Sequence, residues 1–388
     1  MREDINVKKI GNICDVIPGQ SPKSKFYNGK GEGLPFYQGK KRFTDKFLDT
    51  PVKWTTNITK EAVNGDILMS VRAPVGPVNF ATQKICIGRG LAAIRPKENV
   101  DRDYLFYFFL KNEADLESTS GAVFDSINSK QIRNIKIPLP PLPEQNRIVA
   151  ILDEAFEAID KAKANIESNI ENAEELFQSK LNEIFSQRGE GWEEMKLGEL
   201  GKVSMCKRVY KRETSPEGEI PFFKIGTFGK EPDAFITREL FSEYKEKYSY
   251  PKEGDILLSA SGTIGRRVVY DGKPAYFQDS NIVWIDNNEE YVINPFLYHF
   301  YSACDWNPSK GATISRLYND DLRRMKISFP IDKGEQERLV KSFEQISLDS
   351  EKLKLNFQHK LNCLNELKKS ILQKAFSGEL TANERVLA

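Results

Sequence analysis

"GDILMSVRAPVG" at residues 65–76 returns as "GDILLSASGTIG" at 254–265, and the repetition extends along the whole chain. "VKKIGNICDVIPG" is answered by "MKLGELGKVSMCK", "GLPFYQGKKRF" by "EIPFFKIGTFG", and "VDRDYLFYFFL" by "VINPFLYHFYS". Further on, "GAVFDSINSKQIRNIKIPL" is answered by "GATISRLYNDDLRRMKISF", and "PEQNRIVAIL" by "GEQERLVKSF". The blocks keep their order at a period of roughly 190 residues, too long for a solenoid. That pattern predicts two copies of one domain, each followed by its own long helix.

The helices are the clearest local prediction. After "PLPPLPEQ", residues Ile148, Leu152, Ala155, Ile159, Ala162 and Ile166 recur at spacings of four and three, continuing through Ala173, Leu176, Leu181 and Ile184. In the second copy Leu339, Phe343, Ile346, Leu353, Phe357, Leu364, Leu367 and Ile371 keep the same phase, and "AFSGEL" supplies a glycine stop. A helix of about 40 residues is roughly 60 Å long, beyond an ordinary domain diameter, so its apolar stripe needs a partner, and the other copy's helix is the economical one. The bland alternative lays each stripe on its own domain. Within the copies, "GDILMSV" and "GDILLSA" predict turns entering strands, "DYLFYFFL" and "FLYHFYS" short aromatic helices, and "IRNIKIPLP" and "LRRMKISFP" final strands leading to the long helices.

The net charge of +1 conceals alternating blocks. Residues 1–143 hold 22 Lys and Arg against 15 Asp and Glu, whereas 144–187 hold 4 against 10. Segment 188–334 has 22 against 23 and 335–388 has 9 against 8. A basic first domain therefore precedes an acidic helix, and the loops "PGQSPKSKFYNGKGEG" and "CKRVYKRETSPEGE" carry the residue types of a binding surface. No apolar run spans a bilayer and "MREDINVKKI" is no signal segment, which predicts a cytoplasmic protein without membrane contact.

Catalytic constellations are sparse. Cys14, Cys86, Cys206, Cys304 and Cys363 are scattered with no CxxC pair, which predicts neither disulfides nor zinc. His299 and His359, the only histidines, lie on an aromatic helix and on the heptad helix, so structural roles are expected. The Gly29, Gly31, Gly33 run is not a dinucleotide fingerprint, and no Walker lysine occurs. One alternative is a metal-dependent nuclease: Asp233, Glu243 and Lys245 fit a loose PD…ExK spacing, whose chemistry needs carboxylates converging on Mg²⁺ beside a lysine. The first copy offers no matching carboxylate in "PVKWTTN". Another alternative is a coiled-coil scaffold with no nucleic-acid role.

The "IPLPPLPEQNRIVAILDEAFEAID" junction, the duplicated domain, the long heptad helices and the terminal "LKKSILQKAFSGEL" resemble the DNA specificity subunit of type I restriction–modification enzymes along essentially the full length. The second junction, "SFPIDKGEQERLV", lacks the family's proline run, which predicts a less stiff entry into its helix. The resemblance implies an α+β fold: two similar α/β target-recognition domains, 1–143 and 188–334, with a first long spacer helix at 144–187 and a second long spacer helix and C-terminal tail at 335–388, the helices forming an antiparallel coiled coil with pseudo-two-fold symmetry. It implies a non-catalytic subunit that reads a bipartite, asymmetric sequence in double-stranded DNA. Partners would be two modification (methyltransferase) subunits docked on the helices, together with restriction subunits. S-adenosylmethionine, ATP and Mg would then belong to those partners, with no cofactor in this chain.

Expected DNA contacts in the first domain are Ser21, Lys23, Lys25, Gln38, Lys40, Lys41, Arg42, Arg72 and Arg89. In the second they are Lys207, Arg208, Lys211, Arg212, Lys224, Thr227, Ser261, Arg266 and Arg267. Lysines would mainly hold phosphates, whereas Arg and Gln can reach base edges bidentately. Partner-binding positions on the helices are expected at Ile148, Leu152, Ile159, Ile166, Leu339, Phe343, Leu364 and Ile371.

Overall fold

The computed structural model describes residues 6–113, 126–304, 306, 309–310 and 315–380; residues 121–125 and 311–314 of the fifth repeated block lie outside the described residues. The chain divides into two compact units, with breaks after Ile166 and after Phe357, so each unit holds one copy of the repeat and a stretch of each long helix.

In the first unit a four-stranded antiparallel sheet runs in the order Cys14–Pro18, Leu91–Pro96, Ile67–Ser70, Val78–Phe80. The repeated Gly-Asp opens its third strand. Gly65 has φ +89°, which costs glycine little, and the Asp66 carboxylate accepts the Val63 N–H at 2.8 Å. Gly254, at φ +87°, and Asp255, accepting from the Lys252 N–H at 2.8 Å, repeat the device in the second unit. Ile67–Ser70 and Ile256–Ser259 are buried on both faces, which explains their unbroken apolar runs.

A second, mixed sheet orders Tyr27–Asn28, Trp54–Thr55, Leu34–Tyr37, Ile85–Ile87 and Glu61–Ala62, with Leu34–Tyr37 parallel to Ile85–Ile87. The second unit repeats the first sheet as Gly201–Ser204, Ile282–Asn287, Ile256–Ser259, Arg267–Val269, and again sets Ile220–Phe223 parallel to Tyr276–Phe277. "DYLFYFFL" lies in the helix Arg102–Lys111, capped by Asp101, and "FLYHFYS" in Asn294–Ala303. Six consecutive side chains, Tyr104 to Phe109, are buried, each large apolar one contributing roughly 1.5–3 kcal/mol.

The final "strands" are shorter than the sequence suggests. Ile132–Asn134 closes a helix, Ser129–Asn134, because Asn128 and Gln131 form a reciprocal capping box; only Lys136–Pro138 is strand, paired with Val7–Lys9. Asn319–Arg324 and Lys326–Pro330 repeat this arrangement, the latter paired with Trp192–Lys196. The pairing returns the chain to the domain's starting point just where each long helix begins.

The "EQ" of both junctions is a buried staple. Gln145 Oε1 accepts the Asp101 N–H at 2.8 Å, while its Nε2 donates to the Asn99 and Pro140 carbonyls at 3.1 and 2.8 Å. Gln336 does the same with the Ile293 N–H and the Tyr291 and Pro330 carbonyls. The second junction replaces the proline run with Asp332, whose Oδ1 accepts the Gly334 N–H at 3.0 Å, so its entry is fixed by hydrogen bonds instead.

The long helices span Leu142–Phe185 and Lys333–Ser377, the latter ending at Gly378 with φ +80°. In the second unit Glu174 meets Lys354 at 2.6 Å and Phe185 stacks on Phe343 at 5.7 Å, so contacts advance along one helix as they retreat along the other, an antiparallel pairing. In the first unit Asp160 meets Lys368 at 3.4 Å. The seam departs from the predicted phase. Leu176 is 70% exposed, and Leu353 and Leu367 are exposed too, while Phe177, Lys354 and Lys368 turn inward. A lysine stem packs like an aliphatic residue while its ammonium reaches a carboxylate, so two seam positions carry a charge that a search for leucines passes over. Among the described residues no helix is long and apolar enough to cross a membrane.

Candidate nucleic-acid interface

In the first domain one turn gathers several predicted residues. The strand Ile85–Ile87 leaves through Gly88-Arg89-Gly90 before the central strand begins at Leu91. Gly88 donates its N–H to the Tyr37 carbonyl at 2.8 Å, Gly90 to the Gln38 carbonyl at 3.1 Å, and Val71 to the Gly90 carbonyl at 3.0 Å. Ser21 Oγ accepts the Arg89 N–H at 3.2 Å. The loops bearing Ser21, Gln38 and Arg72 therefore converge on exposed Arg89. The flanking glycines are required: a Cβ on Gly90 would lie 2.4 Å from the Gln38 carbonyl oxygen.

Lys40, Lys41 and Arg42 follow as one 3₁₀ turn beside this point. Arg42 is tied back to Asp49 at 2.8 Å, and the Thr50 N–H together with Arg42 holds the Asp49 carboxyl below its usual range. Lys23 and Lys25 stay exposed around the turn Ser24–Phe26, Lys25 lying over the Phe26 ring at 5.1 Å. The result is a surface of cations and amide donors at the ends of several strands, suited to phosphates and base edges.

In the second domain the corresponding turn is Asp279-Ser280-Asn281, and it floors a cleft of 620 Å³. Arg208 Nε donates to Asp279 at 2.8 Å, and Lys224 pairs with Asp233 at 2.8 Å. Ser261 Oγ donates to the Asn281 side-chain oxygen at 2.8 Å, and Arg316 reaches the Ser280 carbonyl at 3.1 Å. Lys211 lines the same cleft. Each carboxylate there has a cation beside it, the local form of this domain's near-neutral charge.

Other predicted residues are committed elsewhere. Arg212 lies over Tyr210 and lines a neighbouring groove, and Lys207 sits over Tyr248 at 4.9 Å. Thr227 Oγ1 accepts the Lys224 N–H and closes a turn. Arg266 donates to the Phe228 carbonyl at 2.9 Å, and Arg267 stacks on Tyr298 at 4.4 Å near buried His299 and half-buried Cys304. Both arginines therefore serve the packing of the domain. Sequence reasoning missed Gln278, Asp279, Asn281 and Arg316; the signal was the polar run "FQDSN" standing where the first copy has "IGRG".

On the helices, Ile148, Leu152 and Ile159 belong to the first domain's core and Phe343 to the second's, with Leu339 packed against it. Leu364 and Ile371 pack against the first core, and Ile166 is half-buried. These side chains seat the helices on the two domains, with Ile148, Leu152, Ile159 and Phe343 buried and Ile166, Leu339, Leu364 and Ile371 half-buried.

The nuclease constellation does not assemble. Glu243 and Lys245 lie on the helix Arg238–Lys247, capped by Thr237; Glu243 pairs with Lys247 at 3.0 Å and Lys245 lies over Phe241 and Tyr250, while Asp233 pairs with Lys224. No cluster of three or more metal-ligating side chains occurs among the described residues.

Residues 2–172 and 189–358 match the family model of the type I restriction modification DNA specificity domain. The chain is 44% identical over 267 residues to a putative type I restriction enzyme specificity subunit of Haemophilus influenzae, covering 68% of this chain and 69% of that protein. It is 27% identical to the MjaIX specificity subunit of Methanocaldococcus jannaschii over 98% and 95% of the two chains. Its fold is shared with the HsdS subunit of Thermoanaerobacter tengcongensis (TM-score 0.60, 20% identity, 98% of each chain). A chain from a structure of the type I R-M system aligns with TM-score 0.75 at 21% identity, over 97% of this chain and 98% of that one.

Proposed function

The chain belongs to the type I restriction–modification DNA specificity family, and from that premise we propose how it reads its target. It is the non-catalytic DNA-recognition subunit of such a system. Residues 1–143 and 188–334 act as the two target-recognition domains, spaced by the long helices Leu142–Phe185 and Lys333–Ser377, and each reads one part of a bipartite, asymmetric site.

One observation carries this reading: a single scaffold, used twice, presents different side chains at the same turn. Gly88-Arg89-Gly90 exposes a cation over a close backbone crossing, whereas Asp279-Ser280-Asn281 offers carboxylate, hydroxyl and amide groups. An arginine suits guanine O6 and N7, and a carboxylate accepts from the amino group of cytosine. The opening repeat is thereby explained: the "GDIL" strands recur because the scaffold recurs, and the loops diverge because each copy meets its own bases. Lys23, Lys25, Lys40 and Lys41 position the duplex backbone, and Lys211 and Lys224 do so in the second copy.

Two modification subunits would dock on exposed helix faces, and restriction subunits would join them. The test is a genome-wide map of methylated adenines in cells with and without this gene, the partner subunits being present in both. Loss of one split, asymmetric motif is the expected result; an unchanged map refutes the reading.

A further inference from the structure

Each copy has an edge strand, Val78–Phe80 in the first and Arg267–Val269 in the second, near its aromatic helix and the start of a long helix. In the first copy that edge is occupied. Phe80 donates its N–H to the Lys46 carbonyl at 2.9 Å, Leu48 donates to the Phe80 carbonyl at 3.4 Å, and Asn79 Nδ2 donates to the Thr44 carbonyl at 2.7 Å. Phe47 lies on the Phe80 ring at 6.0 Å. Lys46 Nζ pairs with Asp103 at 3.0 Å and Asp153 at 3.3 Å, over the Tyr107 ring at 5.3 Å. An extended Lys-Phe segment thus adds to the sheet and inserts its ammonium against the helices.

In the second copy the receptor recurs without the occupant. By the register of the repeat Val269 stands for Phe80, Tyr298 for Phe106, His299 for Tyr107, Glu344 for Asp153 and Glu351 for Asp160. Among them runs a groove of 780 Å³, with Val269 49% and Leu348 52% exposed and Glu253, Glu289, Glu344 and Glu351 lining it. Among the described residues no lysine or arginine pairs with these four glutamates, and the outward N–H and C=O of Val269 have no backbone partner. The loop that could have filled the groove folds elsewhere: the Thr227 N–H donates to the Lys224 carbonyl and the Lys230 N–H to the Thr227 carbonyl, turning the chain back early.

We propose that this groove receives an extended segment of a partner polypeptide, bearing a lysine or arginine next to a bulky apolar residue, which adds to the strand Arg267–Val269. Main-chain bonds to the edge supply affinity and the acidic rim selects the cation. Duplex DNA is excluded by the same glutamates. The proposal rests on the DNA-recognition reading only for which polypeptides are at hand, namely the other subunits of the assembly.

The test uses the full chain and a fluorescent peptide copying the first copy's occupant, RFTDKFLDT, residues 42–50. Saturable binding is expected, weakened at least about tenfold by Glu344→Lys with Glu351→Lys, by Leu348→Glu, or by a peptide carrying Lys46→Glu. No saturable binding, or equal binding by the charge-reversed chain, overturns the proposal. Binding of duplex DNA, measured on the same proteins, should be unchanged; its absence from the unaltered chain would count against the DNA reading and leave the peptide result standing. In the reconstituted assembly a photo-crosslinker at Leu348 should label a basic extended segment of a modification or restriction subunit. No adduct, or one to a helix or to a second copy of this chain, overturns the assignment of the partner.

Discussion

Arg95 grips Asp66 through two parallel hydrogen bonds, Nε to Oδ1 and Nη2 to Oδ2, each 2.8 Å long, whereas Asp255 at the same place in the second copy has Asp286 where Arg95 would stand. Both aspartates are buried and both close the turn before the repeated strand. Arg95→Met should therefore destabilise the first unit by about 2 kcal/mol, because a buried acceptor loses its charged donor. Burial and then Asp286 raise the Asp255 carboxyl above its ordinary value of 3.8, against the Lys252 N–H. A carboxyl with a raised folded pKa stabilises when protonated and loses that contribution as pH climbs through the folded value. Asp255→Asn should thus leave the second unit at least as stable at neutral pH and abolish a rise in stability on acidification toward 3.8. Urea unfolding of each variant as a function of pH checks both.

His299 gives the opposite sign in the same unit. Burial, followed by the nearby Arg267, lowers its pKa from 6.5 to about 4, so the folded domain holds the ring neutral. Between about 4 and 6.5 the unfolded chain binds the extra proton, and stability must fall as pH drops through that window. His299→Phe, which keeps the ring packed against Phe343, should flatten the acid limb by on the order of 2 kcal/mol. An unchanged limb would place the acid sensitivity elsewhere.

The repeat, the aromatic helices, the turn-strand units and the existence of the long helices were legible because each rests on local chemistry: Gly65 and Asp66 at a turn, the aromatic run of "DYLFYFFL", Ile148 to Ile166 at helical spacing. The seam was only partly legible. Helix geometry drifts against a strict heptad, so the inward position passed from Leu176 to Phe177, and lysine stems at 354 and 368 replaced leucines one residue earlier. The interface was harder still. Arg89 is marked by flanking glycines, but the cleft of the second copy depends on Arg208, Asp279 and Arg316, which lie far apart in sequence and meet only through the sheet. Arg266 and Arg267 look like surface cations in the sequence and prove to be packing groups, because the aromatic partner of Arg267, Tyr298, lies on another element.

The seam itself can be tested by neighbouring substitutions. Lys368 Nζ lies over the Phe156 ring at 4.5 Å and pairs with Asp160, whereas Leu367 faces solvent. Leu367→Ala should change stability by no more than about 0.5 kcal/mol, while Phe156→Ala, which empties a site in the first core, should cost about 3–5 kcal/mol. Thermal denaturation would show it, and a larger loss for Leu367→Ala would restore the heptad phase read from the sequence.

Phosphate and base contacts should separate by their salt and sequence dependence. Lys40 and Lys41 are exposed cations on a turn next to the Arg89 hub, and the proposed reading assigns them to the duplex backbone. Replacing either by alanine should weaken binding to all duplexes alike and reduce the slope of log affinity against log salt by about 1. Arg89→Ala should act differently. Its backbone is fixed by Ser21 and by glycines on both sides, so the side chain can vary without moving the turn. A bidentate base contact is worth about 1–3 kcal/mol against the wrong base. The methylated motif should then become degenerate at one position in the half read by the first domain, with the other half unchanged. Degeneracy in the other half would assign Arg89 to the wrong half-site, and uniform weakening without degeneracy would make it a phosphate contact.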